Sequence, residues 1–284
     1  MSALELEAGR LHVLGGELRK LPAFVRRDFL VAWSYRMSFV SDLVNLAGQI
    51  VVFYFIGKLV DPSLLPTFRG SSVTYLEFAA VGIALGVFIQ FGLDRVSAAM
   101  RGEQLMGTLE SVLVTPTAPA TVQLGSVAFD LIYIPLRTAV FLGGITLAFG
   151  LHFAAGGIVP ALLLLLAFIP FVWGLGVLTA AALLTFRRGS GFVGLGAVVL
   201  GLLSGVYFPL NLLPHWLTGI AEANPVALAI KGMRDALLGG AGLGDVAPTL
   251  ATLVPWSAAS LAIGLCAFRL AVRRERRRGT LGLY

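Results

Sequence analysis

DRVSAAMRGEQLMGTLESVLVTPTAP, residues Asp94 to Pro119, is a polar island in an otherwise oily chain, and the runs on either side are each long enough to cross a bilayer. About twenty apolar residues in a helix span the roughly 30 Å hydrocarbon layer, where the backbone must satisfy its own hydrogen bonds. The middle of the island, Gly107 to Val114, reads as a short amphipathic helix. Thr115-Pro116 stops it, because the residue before a proline is pushed out of helical geometry. Thr117 then caps a new helix that opens Ala118-Pro119, a position where proline costs little. Regions 94–119 thus make a compact polar handle between two membrane spans.

The whole chain agrees with that reading. Of 284 residues 57% are hydrophobic and 13% charged, and the mean hydropathy is +0.89, far beyond a soluble globular protein. Alternating ten-residue strands are absent, which excludes a β-barrel and leaves an all-α integral membrane protein. The net charge of +6 does not point to nucleic acid, because the basic residues follow the positive-inside rule. With six spans and a cytosolic N-terminus, sixteen of the 21 Lys and Arg fall on the cytosolic side. Lys58, Arg69, Lys231 and Arg234 fall outside, and Arg137 lies within a span. The first 37 residues are charged and interrupted by Pro22, unlike a cleavable signal peptide, so both termini are expected in the cytosol. The single cysteine, Cys266, rules out a disulfide framework, and no metal site is expected.

Taken in order, residues 1–37 form a cytosolic leader that ends in an interfacial helix, Leu21 to Met37. Apolar residues there recur at helical spacing among Arg26, Arg27 and Arg36, with Trp33 and Tyr35 as anchors. A transmembrane domain follows over 38–272. Its spans are expected at about 38–60, 73–93, 120–151, 158–186, 192–205 and 248–272. Gly82 and Gly86 stand in GxxxG spacing, which permits close helix contact, but among 34 glycines the spacing reads as chance. Asp130 and Arg137 lie two helical turns apart on nearly one face of the third span, either a polar pair facing a path or a subunit seam, or with Asp130 near the cytosolic headgroups in a structural ion pair with another helix. Residues 273–284 read as a basic cytosolic tail that meets anionic lipid.

The stretch 206–240 is apolar yet repeatedly broken, at Pro209, Pro214 and Pro225, into pieces too short to span. Asn224 is a good N-cap with Pro225 in the first helical position, and Gly239-Gly240 supplies a stop, so a separate helix is expected from Pro225 to Leu238. Short apolar helices on the outer side fit a re-entrant hairpin, tolerated where protein covers its ends.

Two patterns together resemble the permease subunit of a type-2 ATP-binding-cassette exporter. One is GTLESVLVTP at Gly107 to Pro116, similar to that family's coupling helix. The other is SGVYFPL at Ser204 to Leu210, then LPHWL at Leu213 to Leu217, Asn224-Pro225 and Arg234, similar to the stretch before the family's last span. The resemblance runs from about Leu21 onward. It implies that Gly107, Thr108, Leu109, Glu110, Ser111, Leu113 and Pro116 couple to an ATPase. Tyr207, Phe208, Pro209, Pro214, Trp216, Asn224, Pro225 and Arg234 would form a re-entrant gate. It also implies two copies of a separate nucleotide-binding subunit carrying ATP and Mg, a second copy of the permease, and a bacterial-type plasma membrane.

Independently, a phosphate-binding loop needs glycines followed by Lys and Ser or Thr. Lys20, Lys58 and Lys231 are followed by Leu, Leu and Gly, so this chain holds no ATPase motif of that kind and no catalytic residues are assigned. The cargo implied is amphipathic or lipid-like: a drug, lipid or lipid-linked glycan. The alternative is a polysaccharide channel lined by Phe53, Tyr54, Phe55, Phe88, Phe91, Tyr207 and Phe208. A membrane enzyme lacks support because His12, His152 and His215 are scattered, and a secondary transporter because no halves repeat.

Overall fold

The computed structural model describes residues 21–34, 36–70, 72–105, 129–186 and 190–278. Helices dominate, and no β-strand occurs among the described residues. In chain order they are α1 (Leu21–Ser34), α2 (Arg36–Gly57), α3 (Tyr75–Leu105), α4 (Asp130–Phe149), α5 (Ile158–Phe186), α6 (Ser190–Leu202), α7 (His215–Ala223), α8 (Pro225–Leu237) and α9 (Leu243–Arg278). Short 3-10 turns lie at Pro62–Leu64, Ala155–Gly157 and Leu210–Leu212.

The hub is α5. Its 29 residues reach about 43 Å, more than the hydrocarbon layer. Leu164, Phe168, Ile169 and Val172 are fully enclosed by α3, α8 and α9, through Phe78, Val81, Leu85, Ile230 and Leu253. Two spans qualify by length and apolarity among the described residues, Ala155–Thr185 and Leu243–Arg274, with buried shares of 61% and 17%. Both are oily, but only α5 is wrapped by protein. The shorter apolar segments are Ala47–Gly57, Tyr75–Gln90 and Tyr133–Phe149. In α2 the apolar part is short because Asp42 and Asn45 occupy the first half, with Gln49 one turn on donating to Asn45 at 3.0 Å.

Small residues bring α5 and α9 into backbone contact. A Cβ on Gly174 would fall 2.3 Å from the Ser260 carbonyl carbon, and one on Gly264 would fall 2.4 Å from the Gly174 carbonyl oxygen. Ser257 and Ser260 donate back to the Ala167 and Phe171 carbonyls at 2.7 and 3.0 Å. Hydroxyls can bond helix carbonyls where no water competes, and small residues permit the approach.

Several boundaries move from the expectation. The helix of the second expected span, α3, does not stop at Leu93 but continues through Asp94 to Leu105, 31 residues and about 46 Å in all. Ala, Met, Arg, Glu, Gln and Leu in 94–105 are good helix formers, and Gly102 among them costs about 1 kcal/mol without breaking the ladder as proline would. The last helix likewise runs past Val272 to Arg278, so the basic tail begins as helix, consistent with the high helix propensity of arginine. The fifth apolar stretch is helical only over Ser190–Leu202, about 20 Å, and Gly205 then turns the chain at φ 70°. The interfacial helix is described over Leu21–Ser34, with Phe29 stacked on Trp33 at 6.2 Å and set edge-on to Phe129 at 6.4 Å.

Candidate functional site

At the end of the bundle where α3, α5 and α9 begin, the broken stretch folds into a cap. Gly205 turns the chain out of α6, Val206 is buried, and Pro209 leads into the Leu210–Leu212 turn. Pro214 then precedes α7, and Asn224 precedes α8. The Asn224 side-chain oxygen Oδ1 accepts from the Val226 N–H at 3.0 Å, while its Nδ2 donates to the Leu203 and Leu200 carbonyls at 3.2 and 3.4 Å. One side chain therefore caps α8 and ties it to the end of α6. The helix stops at Leu237, one residue before the expected Leu238, and the stop uses the expected glycine: Gly240 takes φ 64° and donates to the Ala236 carbonyl at 3.0 Å.

Arg234 is the centre of this cap. It projects from α8 into the core and is 5% exposed. Its Nε and Nη2 donate to the Phe78 carbonyl at 3.1 and 3.0 Å, Nη1 to the Gly205 carbonyl at 2.8 Å, and Nη2 also to the Val206 carbonyl at 3.0 Å. Four of the five N–H donors of a guanidinium are thereby placed on backbone oxygens. The guanidinium carbon lies 3.4 Å from the centroid of the Phe78 ring, so a cation–π contact adds to the carbonyl dipoles. A buried cation is expensive unless its hydration is replaced, and this cage replaces most of it.

The cage exists because α3 offers a gap. A Cβ on Gly82 would fall 2.2 Å from the Val206 carbonyl oxygen and 2.6 Å from Arg234 Nη2. One turn on, Gly86 faces the Val206 methyls at 3.3 and 3.4 Å from its Cβ position. The GxxxG spacing that reads as chance in the sequence is thus the groove that receives the tip of the cap. The signal was present; what the sequence does not name is the partner, a turn and not a helix.

Further ties reach the start of α3. Thr74 and Glu77 form a capping box: the Glu77 carboxylate accepts from the Thr74 N–H at 2.8 Å, and the Glu77 N–H donates to the Thr74 hydroxyl at 3.3 Å. The Thr-x-x-Glu spacing would have revealed this start. The same carboxylate accepts from the His152 N–H at 3.2 Å, linking α3 to the segment after α4. Tyr75 donates its hydroxyl to the Tyr207 carbonyl at 2.9 Å, and the Tyr207 ring stacks on Phe53 at 5.4 Å and 6°. Outside the cap, Arg69 and Asp245 form an exposed ion pair in which Nη2 and Oδ1 are 3.3 Å apart. Asp245 also accepts from the Gly242 N–H at 2.9 Å. The Arg69 hydrogen bond, and after it the Gly242 N–H, hold the Asp245 carboxyl below the usual carboxylate range.

The remaining site candidates are distributed as follows. Tyr207, Phe208, Pro209, Pro214, Asn224, Pro225 and Arg234 all belong to the cap, while Trp216 points away from it at 73% exposure. Gly107, Thr108, Leu109, Glu110, Ser111, Leu113 and Pro116 lie outside the described residues. Asp130 heads α4, and its side chain also lies outside them. Arg137, half-buried, lines a small pocket of about 20 Å3 between α3 and α4 with Thr138, Phe141, Val87 and Phe88. That volume holds about one water. Phe88 itself is buried edge-on to Phe168 at 5.9 Å, a packing role. No cluster of three His, Cys, Asp or Glu side chains that could hold a metal occurs among the described residues.

A family model described as ABC-2 type transporter matches residues 19–238. The chain is also similar to the linearmycin resistance permease protein LnrN of Bacillus subtilis (strain 168), 28% identical over 121 residues. That match covers 43% of this chain and 31% of the relative, less than a third of its length. The family match takes in both the polar island and the cap, most of the chain, and on that ground the protein belongs to the ABC-2 type transporter family.

Proposed function

We propose that this chain is the membrane-spanning permease of an ABC exporter, moving an amphipathic or lipid-like cargo outward on ATP hydrolysed by a separate nucleotide-binding subunit. In this reading α2 to α5 and α9 make five crossings, α6 with the chain that follows it to Val206 makes the sixth, and the cap faces the outside. Two permease copies join two ATPase subunits, which carry the ATP and Mg. The protein sits in a bacterial plasma membrane with both termini in the cytosol.

The observation that carries the reading is α3. It is one unbroken helix from Tyr75, beside the cap, to Leu105, at the edge of the expected coupling segment. A rod of about 46 Å exceeds the hydrocarbon layer by roughly 16 Å, so its far end would stand clear of the bilayer to meet a soluble partner. Arg137, half-buried between α3 and α4 about midway along the rod, supports a polar element on the cargo path. The relative's name ties that protein to linearmycin resistance, which favours a small compound over a polymer as cargo. The burial of Phe88 favours the same choice, since it offers no ring face for sugar stacking.

The test is co-purification with an ATPase encoded beside this chain, then ATP turnover of the complex in lipid vesicles with candidate amphiphiles. Stimulated turnover is expected, and Glu110→Ala or Leu109→Ala should uncouple it without loss of the complex. A chain that binds no ATPase, or that transports alone, would overturn the reading.

A further inference from the structure

We propose that Arg234 is a latch that makes α3 and the cap move as one body, so that a displacement of α3 is delivered to the turn at Gly205 and Val206. The proposal rests on the exporter reading for the source of the displacement, but the latch itself is a matter of geometry. Arg234 belongs to α8, yet its four side-chain hydrogen bonds fall on three carbonyls of other segments in a way that closes a ring. Two go to Phe78 in α3 and the others to Gly205 and Val206, immediately after α6. Without the guanidinium, α3 would meet the turn through the Val206 side chain and the Tyr75 bond to the Tyr207 carbonyl.

The chemistry explains why arginine is needed. Three carbonyl oxygens converge on one point, and carbonyls repel one another unless a donor sits between them. A planar fork with fixed N–H directions can serve three acceptors at once, whereas a lysine ammonium is a point charge on a flexible stem. The face of the Phe78 ring closes one side of the cage, and Gly82 keeps the other side open for Val206. Two neighbours of α8 contrast with this: Lys231 on the same helix is exposed, and Asp235 is half-buried. Only Arg234 of these charged groups turns inward to join three chain segments.

Arg234 is thus a positioning residue, and its role predicts a separation that a merely stabilising residue would not produce. After replacement of Cys266, spin-label pairs at Ser72 with Val159 and at Leu212 with Val159 report α3 and the cap against the hub helix. The measurement uses the complex with its co-purified ATPase in lipid, with and without ATP and Mg2+. In the otherwise native protein both distances should shift on ATP. In Arg234→Met the Ser72 shift should remain while the Leu212 shift is lost, and Arg234→Lys should recover it only in part. An equal Leu212 shift in Arg234→Met would overturn the latch.

Should Arg234→Met fail to assemble, Tyr75→Phe and Gly82→Ala test the same junction. Each loosens it without removing the charge, and a native Leu212 shift in both would count against the proposal. If the native complex shows no ATP shift at either pair, the exporter reading fails. The latch is then judged on the nucleotide-free Leu212 to Ser72 distance, which must broaden in Arg234→Met for the proposal to stand.

Discussion

Arg69 and Arg234 lie at the same end of the bundle, and their environments differ in every respect that sets the value of a charge. Arg69 meets a carboxylate, Asp245, with both side chains about half exposed. Arg234 is enclosed and is held by carbonyl oxygens and a ring face. An exposed ion pair gains little, because water already solvates both partners and salt screens them. A buried cation has no water to return to, so each carbonyl of its cage matters, and each carbonyl depends on the cation in turn. The formal salt bridge is therefore the weaker restraint, and the arginine bonded only to backbone is the stronger one.

Four experiments would break or sharpen that contrast, beginning with the largest effect. Arg234→Met strands the Gly205 and Val206 carbonyls and leaves the Phe78 carbonyl with only its helical partner, and should cost about 3 kcal/mol or more, seen as a clear fall in the thermal unfolding midpoint in detergent. An unchanged midpoint would mean that water fills the cage. Gly82→Ala introduces a Cβ at 2.2 Å from the Val206 oxygen and should cost about 1–3 kcal/mol by overpacking. Gly48→Ala, with nothing within 4 Å of the added carbon, is its control in the same assay and should leave the midpoint in place.

Asn224→Ala should cost about 1–2 kcal/mol, because it removes the cap of α8 together with the amide bonds to the end of α6. Asn224→Asp keeps the acceptor and loses the donors, so an intermediate midpoint is expected; equal loss in both would assign the whole effect to the donors. The smallest effect belongs to Asp245. Its folded carboxyl titrates below the usual range, so its contribution is fully present above the unfolded value of about 3.9 and is lost as pH falls through the folded value. Asp245→Asn should therefore shift the midpoint slightly at pH 7, equally at pH 6, and progressively less below about pH 4. A difference between variant and native protein that vanishes already at pH 6 would show another group at work.

The sequence was most legible where local chemistry governs. Asn224-Pro225 and Gly239-Gly240 bracket α8, and the helix lies between them within one residue. The apolar run from Ile158 to Phe186 carries no break except prolines, one of them in the first turn, and it forms α5 with those bounds. Boundaries were less legible where polarity changes without a helix breaker. Asp94 and Arg273 look like ends of spans, but a helix continues across a water interface as long as its backbone ladder is intact. The candidate site was half legible: the cap residues were named from their pattern, whereas Phe78, Gly82 and Tyr75, which complete it, lie more than 120 positions earlier in the chain.

Composition and periodicity alone determine that this protein is helical, oily and charged mainly at its loops, because those properties follow from each residue's neighbours along the chain. Which oily helix becomes the hub, which glycine pair becomes a groove and which arginine is buried are settled only in three dimensions. Apolar burial has no direction of its own, so α5 and α9 look alike until Gly174 and Gly264 bring their backbones together. Arg234 likewise resembles any surface cation of an amphipathic helix until the carbonyls of two distant segments converge on it.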